Sequence, residues 1–245
     1  MKSTPTMELF LRRPQKALID ASAQLRELYE FACAVGDHSP LLRHWFLSSD
    51  KSKQDALLYE AFDGKGPTVA ALAVLHEKSK GVSDVRSISL WNGAASDAET
   101  ATLSSRVNTL GRPDTVEFAL RVAPAIEQWE VPVGWMRRAI AIWSPSACTF
   151  GPYWYSDRKV FEDRPGVGWM LYLPETLSVQ QVPEARALVP VDGLDSSGKK
   201  MQIGTIIVSV TDEPFSDENP EHVKIANAIE IRLADQDLLP RYADL

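Results

Sequence analysis

Cysteine is nearly absent from this 245-residue chain, which has only Cys33 and Cys148, far apart and each in apolar surroundings. A disulfide framework needs more, and neither sits in a metal or redox spacing, so both are expected to be buried, reduced thiols. Histidine is as sparse. His38, His44, His76 and His222 are scattered, and His76-Glu77 opens like a zinc-protease motif only until Lys80 takes the place of the second histidine. No metal site is expected. Long apolar runs are missing as well: stretches such as Thr205 to Val210 have the length of a strand, which argues against a membrane-spanning helix. Met1 to Thr6 carries one positive charge and leads into mixed polar sequence, not the apolar core of a signal peptide, so the expected compartment is the cytoplasm.

Basic charge is in deficit, with 26 lysines and arginines against 33 acids and a net charge of −7. From Asp212 to Leu245 nine carboxylates face only Lys224, Arg232 and Arg241, so the last 34 residues carry −6 and the rest of the chain −1. Direct binding of nucleic acid needs basic clusters, and this distribution opposes it. It suits a basic protein partner, or a solvated acidic face.

Catalytic patterns are missing too. Gly193 to Lys200 matches a phosphate-binding loop except that Lys200 replaces the final Ser or Thr. A true phosphate loop opens a helix, whereas Met201 to Val210 has the pattern of a strand, so a hairpin connection is expected. No Gly-x-Ser-x-Gly elbow occurs. The carboxylate pairs Glu162-Asp163, Asp212-Glu213 and Asp217-Glu218 fall in expected loops or helix starts, where acids cap helices or stay hydrated. No catalytic residue and no cofactor is expected.

What is present is ordinary globular composition, 44% hydrophobic with seven tryptophans, enough for a large core in a single domain over residues 1–245. Leu18, Ala21, Leu25, Leu28, Tyr29 and Ala32 recur at helical spacing, predicting a helix over Pro14 to Val35 closed by Gly36. A short strand is expected before it at Met7 to Leu11, a further strand at Leu42 to Leu47, and helices at Lys53 to Phe62 and Thr68 to Lys80. Val116, Phe118, Leu120 and Val122 alternate with Glu117, Ala119 and Arg121, and with Val85 to Trp91 and Thr102 to Thr109 they predict an antiparallel meander. Val133, Met136, Ile140 and Trp143 suggest a helix, followed by strands at Gly168 to Leu173, Ala187 to Val191 and Ile203 to Val210. A closing helix is marked by the N-cap Asn219, by Pro220 and Glu221, and by an inward stripe of Val223, Ala226, Ile229 and Leu233, with Pro240 as its stop. Strands and helices come in blocks, which makes the class α+β: an antiparallel, or mixed, sheet with flanking helices.

Arg164-Pro165-Gly166-Val167-Gly168-Trp169-Met170-Leu171-Tyr172-Leu173-Pro174 resembles the signature of the immunity protein 52 family. Trp143-Ser144-Pro145, Val182-Pro183-Glu184-Ala185, Gly204 to Val208, and the closing helix through Leu238-Leu239-Pro240 are similar to its other elements, so the resemblance is strongest over residues 143–241. It implies an antitoxin of a polymorphic toxin system, often one of type VI secretion, whose partner is a nuclease toxin with a restriction-endonuclease-like domain. An adaptor or chaperone for a secreted toxin, and less readily a small hydrolase, remain alternatives. In the signature, Val167, Trp169 and Leu171 share one strand face and Gly168, Met170 and Tyr172 the other, the pattern of a strand packed on both sides. Candidate partner-binding residues are the acids Asp212, Glu213, Asp217 and Glu218 ahead of the last helix, and the anchors Tyr153, Trp154 and Tyr155 beside Asp157.

Overall fold

In chain order the computed structural model contains β1 (Pro5–Leu11), α1 (Ala21–Gly36), β2 (Phe46–Leu47), α2 (Lys53–Ala56), β3 (Phe62–Asp63), β4 (Gly66–Pro67), α3 (Val69–Ser79), β5 (Val85–Trp91), β6 (Ala101–Asn108), β7 (Asp114–Leu120), α4 (Glu130–Trp143), β8 (Ala147–Pro152), β9 (Met170–Leu173), β10 (Ala187–Leu194), β11 (Lys200–Val208) and α5 (Pro220–Asp235). It describes residues 4–13, 17–49, 52–121, 126–194 and 198–245. The strand ladders are antiparallel and the class is α+β, as expected. The chain divides into two units, Arg12–Val122 and Met1–Leu11 with Ala123–Leu245.

The Arg12–Val122 unit contains the expected meander, in the order β7-β6-β5-β2. Along β6, Ala101, Leu103, Ser105 and Val107 are buried while Thr102 and Arg106 are exposed, the two-residue period of a strand with one face in a core. Helix α1 lays Leu25, Leu28, Phe31, Ala32 and Val35 inward, and Phe31 meets Phe118 of β7 edge-on at 5.3 Å. Buried Gln24 is satisfied on both sides, donating to the Ser105 carbonyl and hydroxyl at 3.0 Å and accepting from Arg86 Nε at 2.9 Å.

Four expectations in this unit change. Helix α1 starts at Ala21, because the Asp20 carboxylate caps the amides of Ser22 and Ala23; Pro14 to Lys16 lie outside the described residues. The helix expected over Lys53 to Phe62 is the single turn α2, after which Tyr59 and Ala61 hydrogen-bond the backbone of Leu47 and Trp45. The expected strand at Leu42 to Leu47 shrinks to Phe46–Leu47, since Ser39 caps a short 3-10 helix at Pro40–Leu42. Cys33, expected to be buried, is exposed on α1, on the side away from the Leu25, Leu28 and Val35 stripe.

In the other unit the strands run β10-β11-β9-β8-β1. All four residues of β9 are buried, with Tyr172 opposite Cys148 of β8 on one side and Thr205 of β11 opposite Leu173 on the other. The strand drawn from the signature is therefore interior on both faces. Cys148 is buried, and that burial pushes its thiol well above the ordinary range. Strands β10 and β11 form a hairpin with Leu194 opposite Lys200, so a strand, not a helix, follows the phosphate-loop look-alike; its Asp195 to Ser197 lie outside the described residues. Helix α5 begins as expected, with Asn219 Oδ1 accepting from Glu221 N at 3.0 Å and Pro220 in the first turn. It stops before Pro240: Asp237 takes a left-handed φ of 56°, and the Leu238 amide folds back onto the Leu233 carbonyl.

Candidate protein-binding surface

The candidate surface is assembled on α5 by a carboxylate that faces inward. Glu230 is 1% exposed, on the buried stripe of Ala226, Ile229 and Leu233. Its Oε1 accepts from the Tyr155 hydroxyl at 2.6 Å and from the Val167 amide at 2.9 Å, and its Oε2 accepts from the Val160 amide at 2.7 Å. Burial pushes the Glu230 carboxyl above its usual range, against the opposing pull of those three donors and of nearby Lys159. Burial, with the charge of Glu230 beside it, also pushes the Tyr155 phenol far upward. Lys159 is held by the carbonyls of Glu162 and Arg164, at 3.2 and 2.9 Å. One side chain of α5 thus fixes the whole loop from Tyr155 to Val167.

The signature residues build this loop. A Cβ on Gly166 would stand 2.9 Å from the Tyr155 ring, and Gly168 adopts a φ of 52° with the same ring against it. The two glycines let the backbone pass close to Tyr155. Trp169 Nε1 then donates to the Val210 carbonyl at 2.8 Å, and Ser209 Oγ to the Gly168 carbonyl at 2.7 Å, which ties the loop to the end of β11.

Of the expected anchors, Tyr153 and Trp154 are 55% and 48% exposed, on a 3-10 helix (Tyr153–Asp157), and pack edge-on at 5.2 Å. Tyr155 differs. It is buried, and the bond to Glu230 turns its ring inward, so it positions its neighbours and offers no face to a partner. Its ring meets Phe215 edge-on at 5.5 Å, and Phe215 lies 5.5 Å from the His222 ring. That aromatic chain joins the 3-10 helix to the acidic segment at Asp212 to Glu218. In that segment Asp212 is exposed, and Glu213 pairs with His222 Nε2 at 3.0 Å. His222 Nδ1 accepts from the Ser216 amide at 3.0 Å, which places the proton of the neutral ring on Nε2.

Asp217 and Glu218 line a groove of about 580 Å³ along α5, with Arg158, Val223, Lys224 and Ile231. Val223, expected in the core stripe, is half-buried here, and Ile231 is 46% exposed. Asp217 Oδ1 is shielded from solvent without a hydrogen-bond partner. Asp157 is exposed and precedes Arg158 in the chain. The whole net charge resides in the unit that bears this surface: it has 12 bases and 19 acids, against 14 and 14 in Arg12–Val122. Among the described residues no group of three His, Cys, Asp or Glu could hold a metal ion, and no helix is long and apolar enough to cross a membrane.

Sequence reasoning missed Glu230, His222 and Arg158. Glu230 had a signal, a carboxylate one position after Ile229 and four after Ala226, inside the stripe that must be buried. An exposed aromatic pair, a partly apolar groove and charged residues at its edge are features of surfaces that bind other proteins. The model of a family described as Immunity protein 52 matches residues 19–241, and the chain belongs to that family. The match reaches far upstream of residues 143–241, where the resemblance is strongest. Membership implies a role in binding a toxin rather than in catalysis. A solved structure described as Pseudomonas aeruginosa T6SS protein PA0821 is similar over 93% of this chain and 76% of its own, at 12% identity and a TM-score of 0.49. No curated protein sequence matches the chain.

Proposed function

We infer that this immunity protein acts in the cytoplasm by binding one molecule of a nuclease toxin with a restriction-endonuclease-like domain and blocking it stoichiometrically, which protects the cell that makes the toxin. The observation that carries this is the joint placement of acid and aromatic surface. All seven units of net negative charge belong to the unit that presents Tyr153, Trp154, Asp157, Asp212, Glu213, Asp217 and Glu218. A nuclease grips DNA with a basic surface, so such a face would be drawn to the region that DNA occupies. Acidic charge raises the encounter rate, while desolvated aromatic anchors supply most of the affinity. Inhibition of this kind needs no cofactor.

Calorimetry of the purified chain with the nuclease encoded beside it tests the proposal, with DNA cleavage followed in parallel. One-to-one binding in the nanomolar range or tighter, with cleavage abolished, is expected. Binding that leaves cleavage intact would support a toxin adaptor or chaperone instead, and absence of binding would sink the toxin assignment.

A further inference from the structure

We propose that the groove along α5 receives a segment of the toxin that carries an arginine or lysine beside an apolar side chain. This rests on the toxin-binding reading and adds the place and chemistry of the contact. Val223, Asn227 and Ile231 succeed one another at four-residue spacing, so they form one row on the helix, apart from the buried stripe of Ala226, Ile229 and Leu233. A helix on the surface of a core needs one apolar stripe. In this second row Val223 and Asn227 are half-buried, Asn227 accepting from the Tyr155 hydroxyl at 2.9 Å, while Ile231 is 46% exposed, and an apolar side chain of the partner would cover Ile231.

The charge requirement comes from Asp217. Asp217 lines a groove wide enough for several side chains, and its Oδ1 accepts no hydrogen bond among the described residues. A carboxylate with an unfilled acceptor is rare in folded proteins, and a guanidinium or ammonium in the groove would pair with the charge of Asp217. Glu218 stands beside it, so this end of the groove favours a cation. Lys224 is already paired, with Glu221 at 3.5 Å, and leaves Arg158 as the one cation of the lining outside an ion pair among the described residues. The segment that fits is therefore basic where it meets Asp217 and Glu218. The exposed Tyr153 and Trp154 pair sits on the 3-10 helix that ends next to Arg158 in the chain.

The test is toxin binding by the full-length protein and two variants, Ile231→Arg and Asp217→Asn, each first checked for an unchanged melting temperature. Both positions are at the surface of α5 or its approach, so folding should survive. Ile231→Arg should weaken binding by roughly 30-fold or more, through lost apolar contact and a repelled cation, and Asp217→Asn by roughly tenfold, the loss of one charge-assisted hydrogen bond. A photo-crosslinker at position 231 should capture a toxin peptide with a basic residue next to an apolar one. Wild-type binding with both variants within twofold of it, or a captured peptide without a basic residue, would overturn the groove assignment and leave immunity standing. Failure of the wild-type protein itself to bind the toxin would instead overturn the toxin-binding reading on which the groove depends.

Discussion

Replacing Glu230 with alanine removes the acceptor of the Val160 and Val167 amides and one of the two acceptors of the Tyr155 hydroxyl, which also reaches Asn227 Oδ1 at 2.9 Å. Each donor left buried without a partner costs about 1–3 kcal/mol. Loss of the buried carboxylate returns part of that, because the charge itself is costly to bury. Breaking a buried charged network by deleting one member typically costs about 3–5 kcal/mol, and a loss in that range is expected here. At about 2–4 °C per kcal/mol for a chain of this size, the melting temperature should fall by about 10 °C. Glu230→Gln should cost less, about 1–3 kcal/mol. Its carbonyl can keep the two bonds made at Oε1, and its amide nitrogen then faces the Val160 amide, donor against donor. Urea unfolding followed by tryptophan fluorescence and near-ultraviolet circular dichroism measures both. An alanine variant within about 0.5 kcal/mol of wild type, inside the scatter of ordinary surface changes, would refute this account of the loop. The pH dependence has a definite sign. The folded pKa of Glu230 lies above its ordinary value of 4.5, so its contribution to stability is fully present below that value and is lost as pH rises through the folded pKa. The advantage of wild type over Glu230→Gln should thus shrink from pH 4.5 upward; an advantage that grows would contradict the burial argument.

Gly166→Ala puts a methyl group 2.9 Å from the Tyr155 ring and 3.3 Å from Lys159 Cβ, and should destabilise by about 1–3 kcal/mol in the same urea experiment. Trp154→Ala should leave the melting temperature within about 2 °C of wild type, since the ring is half exposed, while weakening toxin binding by roughly 30-fold or more; equal affinity would remove it as an anchor. Serine at Asp212, Glu213, Asp217 and Glu218 together should slow association, weaken binding and flatten its salt dependence, as stopped-flow mixing at two ionic strengths would reveal. Unchanged rates would take the acids out of the steering surface.

The sequence was most legible where one local rule decided the outcome. Asn219-Pro220-Glu221 states a helix start in three residues, and the alternation in β6 and β7 leaves only one face to bury. The doubly apolar β9 announced an interior strand. Legibility failed where a local preference met a longer-range competitor. The pattern at Lys53 to Phe62 is helical, but the backbone of Tyr59 and Ala61 finds better use at the edge of β2. Strand β8 drew no expectation, because it ends in Gly151 and Pro152, residue types that strands disfavour. At the candidate surface, spacing singled out the acids and the aromatic triplet but could not say which ring points inward. That is decided by Glu230, 75 residues after Tyr155, and no periodicity within the triplet carries the information.

The most direct test is to titrate the neighbouring nuclease with this protein and follow DNA cleavage as a function of molar ratio. The account predicts a linear fall in activity that reaches zero at one equivalent. Full cleavage in the presence of a several-fold excess of the protein would contradict it.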